Sequence, residues 1–206
     1  MKRNLNLCWL LLLIFVPVLI YLSFKSRQTF KHYEELRKDL ILSEYRIKKY
    51  VYRFNRELYT ENLTLRDLYL TDLNNDTVPI KSLVTSSKLI YRFSNQSCSA
   101  CVADDIKYLR ELGDSIGYQN IIIISDYENT RLLNIFRNST GINFPCYNFT
   151  GSFNLSIETD SDIKKTPFFF LLDEKLKIQY AFLADEYPEL NEIYFSRIRA
   201  FFRKGF

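Results

Sequence analysis

Between Leu7 and Phe24 eighteen residues, LCWLLLLIFVPVLIYLSF, pass without a single charge. As a helix rising about 1.5 Å per residue the run spans roughly 27 Å, close to the hydrocarbon thickness of a bilayer. Trp9 and Tyr21 lie near its two ends, where amphipathic rings favour the headgroup level, and Lys2, Arg3, Lys25 and Arg27 close the flanks. Such a run is either a retained anchor or a cleaved signal peptide. No A-x-A-like pair precedes a plausible cut, and the run is longer than an h-region of about 7–15 residues. A transmembrane anchor over 7–24 is therefore expected, behind a short basic N-terminus over 1–6.

No Gly or Pro occurs from Arg27 to Glu61, and positions 33, 36, 40, 43, 47, 50, 54 and 57 read Tyr, Leu, Leu, Ser, Ile, Tyr, Phe, Glu. Six of these eight places are apolar at a/d-like spacing, which predicts a helical stalk over 25–61. Two uses fit that helix: a seam pairing with a second copy as a homodimer, or a lone amphipathic helix against the following domain or the membrane surface. Ser43 and the three aromatic residues pack less well in a two-stranded seam than Leu or Ile would.

Charge and histidine narrow the function classes. Lys25 to Glu61 holds ten Lys/Arg against six Asp/Glu, whereas 62–206 holds sixteen against eighteen. The basic excess thus sits beside the anchor, where anionic headgroups are, and the folded part has no electrostatic footprint for nucleic acid. His32, in the stalk, is the single histidine. Neither a Cys-His nucleophile pair nor a multi-histidine metal site can be assembled from it, so no metal and no cofactor are expected.

After Glu61 the period changes. LTLRDLYL and VPIKSLV read as short strand-like pieces around a polar turn at Asn74, Asn75 and Asp76. KLIYRF from Lys88 is a strand of β-favouring residues, followed by turn residues Ser94 to Ser97 and then Cys98-Ser99-Ala100-Cys101. Val102, Ile106, Leu109 and Leu112 continue at helical spacing, so the cysteine pair opens a helix. NIIIIS over 120–125 is the continuous apolar run of a strand buried on both faces. A second helix after Glu128, a short strand around 144–149, TPFFFLL, the turn 173–175, LKIQYAFL and a last helix from about Pro188 to Phe202 complete the order. The reading is α/β, with 62–206 as one domain.

C-S-A-C at a strand-to-helix junction, a buried strand and helix in order, and Thr166-Pro167 opening a later strand together resemble the thioredoxin-like superfamily, in particular its membrane-anchored bacterial thiol-disulfide oxidoreductases. The resemblance implies a thioredoxin-like fold, a central mixed sheet flanked by helices, here preceded by the transmembrane helix and stalk. It implies that Pro167 is cis and beside the cysteines, that Thr166 offers backbone groups to a bound extended peptide, and that the hairpin of 168–172 and 176–183 completes the sheet. It also implies a bacterial inner-membrane protein, single-pass, with its domain facing the periplasm. Its partners would then be protein thiols or disulfides of the cell envelope, with the membrane bound through 7–24. A count of flanking Lys/Arg points the other way, towards a cytoplasmic domain. Thiol oxidation and isomerisation require an oxidising compartment, which favours the periplasm.

The chemistry needs a thiolate. Cys98 at a helix amino terminus faces unsatisfied N–H groups and the positive end of the dipole, which lower a cysteine pKa. Cys98 is therefore the expected nucleophile and Cys101, one turn further in and shielded, the resolving thiol. Asp104 and Asp105 follow on the helix, and negative charge there opposes thiolate formation. Ser97 and Ala100 replace the Trp and Pro that familiar members place around the pair. The competing reading is a redox-inactive thioredoxin-fold interaction module tethered to the membrane. Cys146, in FPCYNF, is expected as a buried core thiol.

Overall fold

In a computed structural model of the chain, the described residues are 2–158, 166–184 and 188–204, with side chains from Phe15 onward and excepting Pro188. Helix α1 runs Lys2–Thr60 and contains Pro17. The expected anchor over 7–24 falls in part, at 7–14, outside the described side chains. Among the described residues no helix is long and apolar enough to cross a membrane. The chain divides into two compact units, one reaching Tyr52 and one covering Arg53–Phe206. In the first unit α1 leaves Phe30, Tyr33, Leu36, Leu40 and Ile47 exposed.

The second unit is built on a seven-stranded sheet. Its strands are β1 (Tyr69–Thr71), β2 (Thr77–Pro79), β3 (Lys88–Arg92), β4 (Ile121–Ser125), β5 (Cys146–Asn148), β6 (Phe168–Leu172) and β7 (Ile178–Leu183), in the spatial order β2-β1-β5-β4-β3-β6-β7. The helices are α2 (Ile80–Leu83), α3 (Ser99–Ile116), α4 (Thr130–Thr140) and α5 (Pro188–Arg203). β3, β4 and β5 are parallel, while β6 runs antiparallel to β3 and β7 antiparallel to β6. Every residue of β3, β4 and β6 is buried, as befits central strands, Lys88, Arg92 and Ser125 included.

From β3 to β4 to β5 the chain steps in one direction across the sheet. Right-handed crossovers then put both connecting helices on the same face. Val102, Ile106, Leu109 and Leu112 of α3, Leu133 of α4 and Tyr194, Phe195 and Ile198 of α5 accordingly share one core cluster with Leu89, Tyr91, Ile121, Ile123 and Phe169. The opposite strand faces, among them Ile90, Ile122, Ile124, Phe168 and Phe170, pack with Leu70, Ile80, Phe153, Leu155 and Ile157. That face is covered chiefly by α2 and irregular segments.

Local chemistry explains the turns. The Asp72 carboxylate accepts the Asn74 and Asp76 amides at 2.8 and 2.9 Å, folding the β1–β2 hairpin, and Asn75 takes a φ of 69°. VPIKSLV was expected as strand throughout; it is strand only to Pro79, and Ile80–Leu83 forms a single helical turn. Proline's fixed φ, here −68°, suits a helix start, and its missing N–H ends the ladder. Asn129 caps α4 by accepting the Leu132 amide at 3.1 Å, and Gly141 closes the helix at φ 61°.

β7 would be a free edge, but the end of α1 occupies it. The Glu57 carboxylate accepts the Leu183 amide at 2.9 Å and that of Glu61 accepts the Ala181 amide at 2.7 Å. The Arg53 guanidinium donates to the Leu183 carbonyl. Beyond the helix, Asn62 and Leu65 donate to the Ile178 and Leu176 carbonyls. Side chains here satisfy backbone groups that would otherwise invite another strand.

Candidate functional site at the start of α3

Strand β3 ends at Arg92, and Phe93 still follows its ladder, donating to the Ile124 carbonyl at 3.2 Å. The chain then turns: the Ser97 amide donates to the Ser94 carbonyl at 2.9 Å, and the Ser97 hydroxyl accepts the Ser94 amide at 3.0 Å. Asp126, just past β4, accepts the Asn95 amide and lies 3.8 Å from the buried Arg92 guanidinium. The loop that delivers Cys98 is thereby fastened to the neighbouring strand end.

Cys98 is the N-cap of α3. Its sulfur accepts the Cys101 amide at 3.3 Å, and its carbonyl takes the first helical bond, from Val102, at 3.0 Å. The Cys101 thiol beside it, then the amides of Cys101 and Ala100, hold the Cys98 thiol below its ordinary range; Asp104 opposes them weakly. Cys101 moves up to about 11, because its proton is held by Cys98 and because of partial burial. Both thiols are free. The pair thus carries one readily ionised sulfur and one tightly held proton.

Cys101 was expected to be shielded, yet it is exposed like Cys98. Burial along α3 begins with Val102 and Asp105. Cys146 is the buried thiol anticipated, its burial pushing it up to about 12 and its S–H donating to the Phe144 carbonyl.

Thr166 and Pro167 lead into β6. The register Arg92↔Phe168 places Pro167 opposite Phe93, at the same end of the sheet as the cysteines. Pro167 is buried and Thr166 half-buried. The expected cis bond is not found, for no cis peptide bond occurs among the described residues. Trans is the default for an X–Pro bond by about 0.5–1 kcal/mol. The Pro167 carbonyl accepts the Ala184 amide at 2.9 Å, which extends the β6–β7 ladder. Thr166 lines a cleft of about 290 Å³ with Arg92, Gln96, Asp126 and Glu158. Sequence reasoning singled out none of these last four; the charged residue inside the otherwise apolar KLIYRF was the available signal for Arg92.

A second residue escaped the sequence reading. Asp105 was weighed only as a negative charge following the pair on the helix; its burial was not anticipated, yet it is 4% exposed and accepts the Tyr91 hydroxyl at 2.9 Å. Burial lifts its carboxyl to about 7. Its position between the buried Val102 and Leu109 on one helical face was the sign available in the sequence. Among the described residues no cluster of His, Cys, Asp and Glu is arranged to hold a metal ion.

No family model matches this sequence. No curated protein matches it. Solved structures do resemble it in shape. A protein described as the thiol:disulfide interchange protein DsbE from Chlorobium tepidum superposes with a TM-score of 0.52 at 10% identity, covering 68% of this chain and 97% of its own. One described as an electron transfer protein from Aquifex aeolicus VF5 gives 0.50 at 17% identity, with the same coverages of 68% and 97%. Peroxidoxin BcpB from Mycobacterium tuberculosis gives 0.50 at 11% identity, again over 68% and 97%. Together with the strand order and the cysteine pair at a strand-to-helix junction, these likenesses show a thioredoxin-like α/β fold, a mixed sheet packed with helices.

Proposed function

We propose that this chain performs thiol-disulfide exchange on protein thiols or disulfides, with Cys98 as nucleophile and Cys101 as resolving thiol. The observation that carries the reading is the exposed Cys98 sulfur at the amino end of α3, accepting the Cys101 amide at 3.3 Å and ionising ahead of its neighbour. Cys98 attacks one sulfur of a partner disulfide and forms a mixed disulfide. Cys101 then attacks Cys98, closing the Cys98–Cys101 bond and releasing the partner as a thiol. Thr166 and the cleft beside it offer a place for the partner's extended backbone.

The setting belongs to the same proposal. The uncharged run over 7–24 tethers the chain to a bacterial inner membrane in a single pass, and the exchange domain faces the periplasm, where disulfides persist. The exposed Tyr33, Leu36, Leu40 and Ile47 of α1 support pairing of the stalk with a second copy. No cofactor is needed, since the electrons pass between sulfurs.

Two measurements test this. The full chain in detergent micelles reduces insulin disulfides in the presence of a dithiol reductant, and Cys98→Ser lowers that rate by about a thousandfold or more. Equal rates for the two chains overturn the reading. In cells treated with reductant, a membrane-impermeant maleimide labels Cys98 before lysis; labelling only after lysis overturns the periplasmic placement.

A further inference from the structure

The end of α1 meets β7 at the strand end that adjoins Thr166 and Pro167. The register Phe168↔Leu183 sets Pro167 beside Ala184, and the Ala184 amide donates to the Pro167 carbonyl at 2.9 Å. In an antiparallel ladder such a pair exchanges two hydrogen bonds. Proline has no N–H, so the second cannot form, and the Ala184 carbonyl is left without its ladder donor. The sheet is thus thinned to a single bond where β6 begins, at the end that also carries the loop to Cys98.

Three contacts from α1 fall on this spot. The Glu57 carboxylate accepts the Leu183 amide at 2.9 Å, and the Arg53 guanidinium donates to the Leu183 carbonyl. The same Arg53 nitrogen lies 3.5 Å from the Ala184 carbonyl, the group that proline deprives of a donor. Arg53 and Glu57 are one helical turn apart and 4.0 Å from each other, with side chains 13% and 20% exposed. Both backbone groups of Leu183 are therefore held from outside the sheet by charge-assisted hydrogen bonds, the stronger kind. Glu61, a further turn along α1, accepts the Ala181 amide at 2.7 Å, three residues back along β7 from Ala184. Guarding the edge against another strand accounts for Glu57 and Glu61 equally. It does not account for an arginine that adds donors where proline has removed one.

We propose that Arg53 and Glu57 are positioning residues for the exchange site. By fixing Leu183 and Ala184 they set, through the Ala184–Pro167 bond, where Thr166 and Pro167 stand to receive a partner's extended backbone. The inference rests on the exchange reading given above. Neither residue touches the reacting sulfurs. Their loss weakens the docking of a protein partner and leaves the ionisation of Cys98, which depends on local amides of α3 and on Cys101, as it is. A small disulfide that needs no backbone dock does not sense them.

The test is insulin reduction by the full chain in detergent micelles with a dithiol reductant, read as KM and kcat. Beside it, the reduced chain reacts with dithiobis(nitrobenzoate), where the first aromatic thiolate reports attack by Cys98. Glu57→Ala and Arg53→Met are each expected to raise KM for insulin by about tenfold, with kcat and the first thiolate release both within about twofold of the parent chain. Glu57→Gln keeps an acceptor for the Leu183 amide and restores the parent KM. Glu61→Ala removes an edge cap further from Pro167 and leaves KM in place. An unchanged KM in either Glu57→Ala or Arg53→Met overturns the proposal. An equal rise in Glu61→Ala also overturns it, since loosening of the edge in general would then be the cause. Should Glu57→Ala not fold, Arg53→Met decides, because the Glu57 cap remains in it. A parent chain that does not reduce insulin refutes the exchange reading and this inference with it, whereas a parent that reduces insulin with the KM of its variants refutes the inference alone.

Discussion

The first turn of α3 carries Cys98 and Cys101 in the open; the second carries Asp105 against the sheet, beside Tyr91. In the first turn unsatisfied amides and a neighbouring S–H lower the Cys98 pKa, and there is little burial to oppose them. In the second turn burial outweighs the one hydrogen bond and raises the carboxyl to about 7. A helix start thus makes an anion easy to form, and a few ångströms further on the core makes one hard to keep. Two acids whose ordinary pKa values differ by about five units are thus shifted in opposite directions, the thiol down and the carboxyl up.

The comparison breaks most visibly at Cys101. In Cys101→Ala the second thiol is lost, turnover with insulin falls by about a thousandfold, and partner proteins accumulate as mixed disulfides on non-reducing gels. The same variant removes the proton shared with Cys98, so thiolate absorbance places the Cys98 titration higher than in the parent chain. An unmoved titration would mean that the backbone amides act alone.

Leu109 continues the buried face begun by Asp105 and is 0% exposed. Leu109→Ala is expected to cost about 2–5 kcal/mol in urea unfolding of the full chain. The Cys98 titration should stay in place, because the first turn owes its chemistry to local amides.

Asp105→Asn sharpens the contrast through stability. The carboxyl's folded value of about 7 exceeds its ordinary 3.8, so its contribution is favourable below about pH 3.8 and is lost as pH rises through 7. Asparagine does not ionise and avoids that loss. The variant is therefore expected to be more stable than the parent by about 2–4 kcal/mol at pH 8, with the gap closing towards pH 4. A gap independent of pH would show that Asp105 is not the group responsible. The smallest effect belongs to the exposed Asp104: Asp104→Asn lowers the Cys98 titration, since this charge opposes the thiolate.

Much of this was legible in the chain because it is local. KLIYRF was legible as a strand from its β-favouring residues, NIIIIS as a buried one from its continuous apolar run and TPFFFLL as a later strand, and all three supply strands of the sheet. The cysteine pair could be placed at a helix start because turn residues and helical spacing flank it, and Cys98 is the cap. Other features depend on what lies above or below a residue. The burial of Asp105 follows from the sheet that the second turn of α3 packs against, where Tyr91 meets it. Glu57 and Glu61 looked like stalk charges and are edge caps for β7.

By itself the sequence determined the apolar run over 7–24, the period of each element and the three-residue spacing of the cysteines, since periodicity and helix-start chemistry act over a few residues. Only the tertiary structure decided which charge is solvated and which is buried. Desolvation is set by the whole shell of atoms around a group, and that shell is assembled from segments as distant as Tyr91, Asp105 and Tyr127.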